Sequence, residues 1–463
     1  MGGRTPSAGH GAWKAAQGCT SVHLSVLMNA EIARLISPHT TARVSLLLLV
    51  LLAHLGAAPA AAQRRALIAK QRWLGTWAPS LQAAAAPPAA PAVDPVYTVV
   101  NRTLRQVARI SIGGSRVRLR LSNEYGDRPL ILRAVHIARR TGGAAVGPAI
   151  DPATDRVVTF DTRSAVVVRP GGYLVSDPIS LELPDRADVM ISLAIADSAR
   201  TTTRHSLSVQ TSWVSAPGDF AGAATFTPDT TLTAWAFVAG LDVVNARASG
   251  VVVAFGNSIT DGYGAPVDSN ARWPDRLAER MLVRGRPPLG IVNAGISGNR
   301  VLSAVTGPSA LARFDRDALM IAGVTHIVML EGINDITRGS GAADPRNEVS
   351  VEELIAGHRQ LIARARERGV RIYGATLTPI GGLDRPAPAL RHAKHAAFNR
   401  WVRTSGEFDG VMDFERALWN PADTTRMLPA YDVGDHLHPS AAGYAAMARA
   451  VDLTLFRPRA RKE

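Results

Sequence analysis

Cysteine is almost absent from this chain of 463 residues: Cys19 is the only one. It lies in an N-terminal segment expected to be removed, so the mature chain is left with no disulfide, thiolate nucleophile or thiolate metal site. Lysine is nearly as scarce, at positions 14, 70, 394 and 462 alone, and arginine therefore carries most of the net charge of +14. These arginines are scattered rather than gathered into a stripe, which argues against a nucleic-acid partner. Long apolar runs are also missing. The longest, 44–55 (VSLLLLVLLAHL), has twelve residues, against about 20 for a membrane-spanning helix. What remains is an ordinary globular composition, 46% hydrophobic and 19% charged, long enough for two or three domains.

The short apolar run follows Arg43 and precedes small residues, with Ala60 and Ala62 at the −3 and −1 positions of a cleavage site before Gln63. That is the layout of a secretory signal peptide. Residues 1–62 are expected to be this signal, with the true start near Met28, and the mature protein to be secreted or periplasmic without a stable membrane span. Residues 63–95 read as a linker or N-terminal segment, its Pro/Ala-rich end AAAAPPAAPAVDP (83–95) as a connection or loop, and 459–463 as a basic tail.

The rest divides into two unlike halves. Over 96–247 the pattern is β: Val117, Leu119 and Leu121 alternate with Arg116, Arg118 and Arg120, a period of two that buries one face. Further strands are predicted over 156–160, 165–168, 179–183, 189–195, 205–213 and 232–238. Many short strands separated by Gly and Pro turns predict an all-β sandwich or jelly roll. Over 248–458 strands alternate with helices. Strands are expected at 251–255, 289–293, 326–330, 370–377 and 410–413. Helices are expected at 273–284, 311–320, 351–368, 390–402 and 441–455. Continuous aliphatic strands with helical crossovers mean a parallel sheet covered on both faces, and ligands bind beyond the carboxyl ends of such strands.

Four strand ends or loops carry chemistry, the last of them just before the final helix. Gly256-Asn257-Ser258-Ile259-Thr260-Asp261-Gly262 puts a serine in a tight turn; it is not a G-x-S-x-G elbow, and a helix cap is the plain alternative. Asn293-Ala294-Gly295-Ile296-Ser297-Gly298-Asn299-Arg300 can offer a backbone N–H, although Gly298 could serve only a turn. Glu331-Gly332-Ile333-Asn334-Asp335 follows the third strand, where Asn334 could simply cap a helix. In Asp435-His436-Leu437-His438-Pro439 a carboxylate three residues before a histidine can orient its ring. His436 competes with His438 as base, and Asp432 with Asp435 as its orienter. His392 and His395 stand at helical spacing but lack a nearby carboxylate in sequence, so they read as solvated helix histidines and no metal is expected. Trp273 and Arg300 flank the site loops as candidate substrate contacts, with a helix-start staple as the other role for Trp273. A G-x-G-x-x-G after the first strand and a P-loop lysine are both missing, so no nucleotide or flavin cofactor is expected.

Together, GNSITDG, the SGN of NAGISGNR, GIND and DHLHP resemble, in this order, the four blocks of the SGNH, or GDSL-type, hydrolase family. The resemblance covers about 250–456 and implies a three-layer α/β/α, flavodoxin-like fold. It implies Ser258 as nucleophile, His438 as general base and acid, and Asp435 as its orienter. It also implies an oxyanion hole from the N–H groups of Ser258 and Gly298 and the amide of Asn334. Asn257 departs from the family motif, which has Asp there. With the β half in front, the chain looks like the xylan-esterase-like branch. That implies a serine esterase deacetylating acylated carbohydrate such as xylan, with no cofactor. A lipase or arylesterase is the enzymatic alternative, and a carbohydrate-binding protein with an inactive hydrolase domain is the non-enzymatic one.

Overall fold

The computed structural model describes residues 72–84, 97–142, 147–283, 286–341 and 347–457. The expected signal segment and basic tail lie outside the described residues.

Alternation over 116–121 has the predicted consequence. In the strand Gly114–Ser122, Val117, Leu119 and Leu121 are fully buried, while Arg118 and Arg120 converge on Oδ2 of Asp242 in the adjacent strand, at 2.7 and 2.8 Å from their Nε atoms. This antiparallel sheet runs in the order Trp73–Trp77, Val238–Val244, Gly114–Ser122, Ile179–Leu183, with Tyr173–Val175 also on Gly114–Ser122. A second antiparallel sheet is ordered Pro228–Leu232, Ser212–Pro217, Arg102–Arg109, Asp188–Ile195, Leu130–Arg139, Arg156–Val157, with Val166–Val168 also on Leu130–Arg139. Its strand Asp188–Ile195 sends Val189, Ile191 and Leu193 into the main core and Met190 into a satellite cluster with Val107, Trp213 and Phe226. Arginine serves here as an internal tie. Arg105 is fully buried and donates to the carbonyls of Pro148, Phe220, Ala221 and Ala223.

The α/β half is a five-stranded parallel sheet in the order Leu289–Gly295, Gly250–Gly256, Val324–Leu330, Arg371–Ala375, Val411–Met412. This is the flavodoxin-like order 2-1-3-4-5, whose switch point lies between the first and third strands. The chain following each of the first three strands therefore arrives at one crevice.

Several local expectations are corrected. The presumed linker 63–95 contains the strands Trp73–Trp77 and Gln82–Ala83. The former pairs with Val238–Val244 and also touches the parallel sheet, Gly75 N–H donating to Ala322 O at 2.8 Å. A Cβ on Gly290 would stand 2.5 Å from Gly75 O, so glycine is what admits this close approach. The single strand expected over 205–213 is two, Thr203–His205 and Ser212–Pro217, and the one over 232–238 is three short pieces. The helix over 311–320 is α only across Ala310–Phe314 before widening into a π turn over Asp315–Leu319. The last helix stops at Ala450.

Candidate active site

The first parallel strand ends at Gly256, and Asn257 then caps a single helical turn, Ser258–Asp261. The Asn257 side chain accepts from Ile259 N–H at 3.1 Å, as an N-cap does, and its Nδ2 donates to Leu330 O (3.2 Å) and Glu331 Oε2 (3.1 Å). An aspartate here could not donate to Glu331, so the departure from the family motif has a local rationale. Gly262 ends the turn at φ 106°. Ser258 is thus the first helical residue, and its N–H has no carbonyl partner within the helix.

The histidine reaches it from the other end of the chain. His438 Nε2 lies 2.9 Å from Ser258 Oγ, and His438 Nδ1 lies 2.5 Å from Asp435 Oδ2. The other Asp435 oxygen accepts the N–H groups of Leu437 (3.0 Å) and His438 (2.8 Å). Burial alone would raise the Asp435 carboxyl, but these hydrogen bonds and the ring beside it bring it down to about 2. The carboxylate therefore stays ionised at neutral pH. The ring of Tyr263, 44% exposed, lies against His438 with centroids 4.3 Å apart.

The other two loops supply donors. Gly298 sits at φ 80°, a left-handed position suited to glycine, and its N–H has no acceptor among the described residues. Asn334 Nδ2 donates one hydrogen to Asn299 O at 3.0 Å, leaving the second free to point elsewhere. Asp335 accepts from Val301 N–H at 2.9 Å and from Leu302 N–H at 3.2 Å, tying this loop to the one carrying Gly298. Burial pushes Asp335 up to about 6 against those bonds.

Every candidate from the sequence can now be placed. Ser258, Asp435 and His438 form one hydrogen-bonded line, whereas the competitors form a pair of their own, His436 Nδ1 lying 2.8 Å from Asp432 Oδ2. Trp273 is fully buried at the start of the helix Trp273–Met281, packed on Phe414; it is a core residue, not a substrate contact. Arg300 is buried near Asp335, and its Nε has no hydrogen-bond partner among the described residues. His395 is not solvated as expected. It is buried, with Nε2 2.9 Å from Thr378 O and Nδ1 3.6 Å from Glu415, a carboxylate brought in from another helix. Among the described residues, no group of three or more His, Cys, Asp and Glu is arranged to hold a metal ion, and no helix is long and apolar enough to cross a membrane.

Three residues escaped the sequence reading. Tyr263 directly follows the serine block, and its place next to Gly262 was the available signal. Glu331 opens the third block and bonds Asn257. His205, from the antiparallel half, lies 2.8 Å from Asp261 at the end of the serine helix, and nothing local in sequence announces that contact.

A hydroxyl bonded to a carboxylate-held imidazole, beside N–H donors at the switch point of a 2-1-3-4-5 sheet, is an arrangement suited to nucleophilic acyl transfer, and the class of protein is a carboxylic ester hydrolase. The sequence agrees: residues 254–446 match the GDSL-like lipase/acylhydrolase family. No curated protein matches the chain. Among solved structures it is similar to a protein of the G-D-S-L family from Desulfitobacterium hafniense DCB-2, at 20% identity over 43% of this chain and 97% of that one, with a TM-score of 0.34. It is also similar to Axe2, an acetylxylan esterase from Geobacillus stearothermophilus, at 20% identity over 47% and 98% of the two chains, with a TM-score of 0.35.

Proposed function

We propose that this protein is an exported serine esterase that removes short acyl groups, chiefly acetyl, from carbohydrate esters such as acetylated xylan. The observation that carries the reaction is the continuous line from Ser258 Oγ through the His438 ring to Asp435. A neutral hydroxyl is a poor nucleophile until a base takes its proton. In this reading His438 Nε2 accepts the Ser258 proton as Oγ attacks the ester carbonyl. The oxyanion is held by the N–H groups of Ser258 and Gly298 and the free Asn334 amide hydrogen. His438 then returns the proton to the departing alcohol, and water repeats the sequence on the acyl-enzyme. Losing one such oxyanion donor typically raises the barrier by about 3–4 kcal/mol.

The carbohydrate part of the reading rests on the motifs GNSITDG, SGNR and GIND behind an N-terminal β half, read here as a sandwich, and on the expected signal segment. Tyr263, exposed beside His438, offers a ring face to a sugar at the reacting centre, and Arg300 is the remaining polar candidate for substrate contact.

Initial rates on p-nitrophenyl acetate, a long-chain p-nitrophenyl ester and acetylated xylan test the substrate class. Acetyl release from xylan with little activity on the long chain is expected; a preference for the long chain would make the protein a lipase. Ser258→Ala should lower kcat at least about 10⁴-fold with the fold intact, and retention of a tenth of the activity would remove Ser258 as nucleophile.

A further inference from the structure

The antiparallel half contributes more than bulk to this site. Asp261 closes the serine helix and is 98% buried. Its Oδ2 accepts both the N–H (2.9 Å) and the Oγ–H (2.8 Å) of Ser297, the residue before Gly298. One carboxylate oxygen thus binds the nucleophile segment to the loop that presents an oxyanion donor. Its other oxygen, Oδ1, lies 2.8 Å from Nε2 of His205, in the strand Thr203–His205 of the antiparallel half.

The surroundings of His205 decide its state. Nδ1 lies 3.0 Å from Ser80 O, and Nε2 faces Leu207 O (3.1 Å) as well as Asp261. Both ring nitrogens meet only acceptors, so both must carry hydrogen, and the ring is an imidazolium. It stacks on Trp235 at 5.5 Å, an aromatic face that favours a cation. Arg272, whose guanidinium lies over the same indole at 5.4 Å, is a like charge that works against it. Burial works against the charge on His205, but Asp261 outweighs it and the histidine's pKa is raised.

We propose that His205 is a positioning residue for ester hydrolysis: as a buried imidazolium it fixes the Asp261 carboxylate, which in turn keeps Ser258 and the Gly298 N–H in register. The inference rests on Ser258 being the nucleophile. His205 does not touch substrate and cannot act as a base, because no lone pair is free on its ring. An interlayer contact with no role in catalysis would lower the melting temperature and leave the folded enzyme's turnover intact. A positioning role lowers turnover itself.

The test uses the full chain and four variants, Ser258→Ala, His205→Gln, His205→Ala and Asp261→Asn. Active sites are counted by labelling with a fluorophosphonate, and kcat and KM are measured on p-nitrophenyl acetate. We expect His205→Gln and Asp261→Asn to lose roughly 10–100-fold in kcat per labelled site with KM changed less than threefold, as for a loss confined to the transition state. The fluorophosphonate rate constant should fall in parallel. If either near-isosteric variant keeps wild-type kcat and labelling rate while only its melting temperature drops, the proposal is overturned. Should His205→Ala fail to fold, the two near-isosteric variants decide by the same criterion. An active Ser258→Ala would instead remove the nucleophile reading, so the two failures are told apart.

Discussion

His438 and His205 each hold a carboxylate on one ring nitrogen, one at the open end of the parallel sheet and the other sealed between the two halves of the molecule. Asp435 is three residues from its histidine and its side chain is 40% exposed; Asp261 is 56 residues from His205 and its side chain is 2% exposed. The difference that matters is on the second nitrogen. His438 Nε2 faces a hydroxyl, which can donate to it, so the ring can take a proton and return it. His205 has acceptors on both sides and is locked as a donor. A histidine beside an aspartate is therefore a base or a brace according to what its far nitrogen meets.

The largest effect expected from perturbing this contrast is at Asp435. Asp435→Asn keeps the shape but offers Nδ1 a group that can present hydrogen instead of lone pairs, favouring the wrong tautomer. A loss of roughly 10³–10⁴-fold in kcat on p-nitrophenyl acetate is expected, well beyond that at His205. A loss smaller than tenfold would show that His438 is oriented by something else. At the other extreme stands His436, bonded to Asp432 but to no hydroxyl. Its backbone lies at φ 58°, a region asparagine tolerates. His436→Asn should therefore keep kcat within about twofold, since the exposed ring touches neither nucleophile nor oxyanion donors. A hundredfold loss would reverse the choice between the two histidines.

Why the rim was legible and the brace was not has a physical reason. Ser258, Gly298 and Asn334 follow buried strands whose ends the parallel sheet brings to one crevice, and Asp435 and His438 stand three residues apart in the loop before the last helix, so these candidates could be picked out by position and residue type. His205 depends on tertiary docking of an antiparallel strand onto the serine helix, a contact that no local period encodes. The same holds for Trp73–Trp77, hidden in an apparent linker because its pairing partner lies at Leu241–Val244, far along the chain. Trp273 misled for the converse reason: closeness in sequence to a site loop says nothing about the direction of a side chain, and this one points into the core. The long strand expected over 205–213 fails where Ser208 Oγ donates to Gln210 O at 2.7 Å and accepts its N–H, a side-chain turn that breaks the extended run.

The contrast between open and sealed groups extends to the carboxylates and gives the mildest test. Asp435, served by an imidazole and two N–H groups, lies at about 2, whereas burial pushes Glu331 up to about 8 despite Arg313 beside it. Glu331 Oε1 has no hydrogen-bond partner among the described residues, and Arg313 Nη2 stays 3.7 Å away. For an acid whose folded pKa is raised, the folded state holds a proton that the unfolded chain releases, so stability falls as pH rises. The contribution is fully present below about 4.5, the ordinary glutamate value, and is lost as pH approaches about 8. Asp335, raised to about 6, acts in the same direction over a lower window, so the informative quantity is the difference between wild type and Glu331→Gln. The amide cannot ionise but can still accept from Asn257 and Gly332. Urea denaturation between pH 5 and 8 should show the variant gaining on wild type by roughly 1–3 kcal/mol across that range. Parallel stability curves for the two proteins would mean that Glu331 is ionised throughout and that Arg313 neutralises it after all.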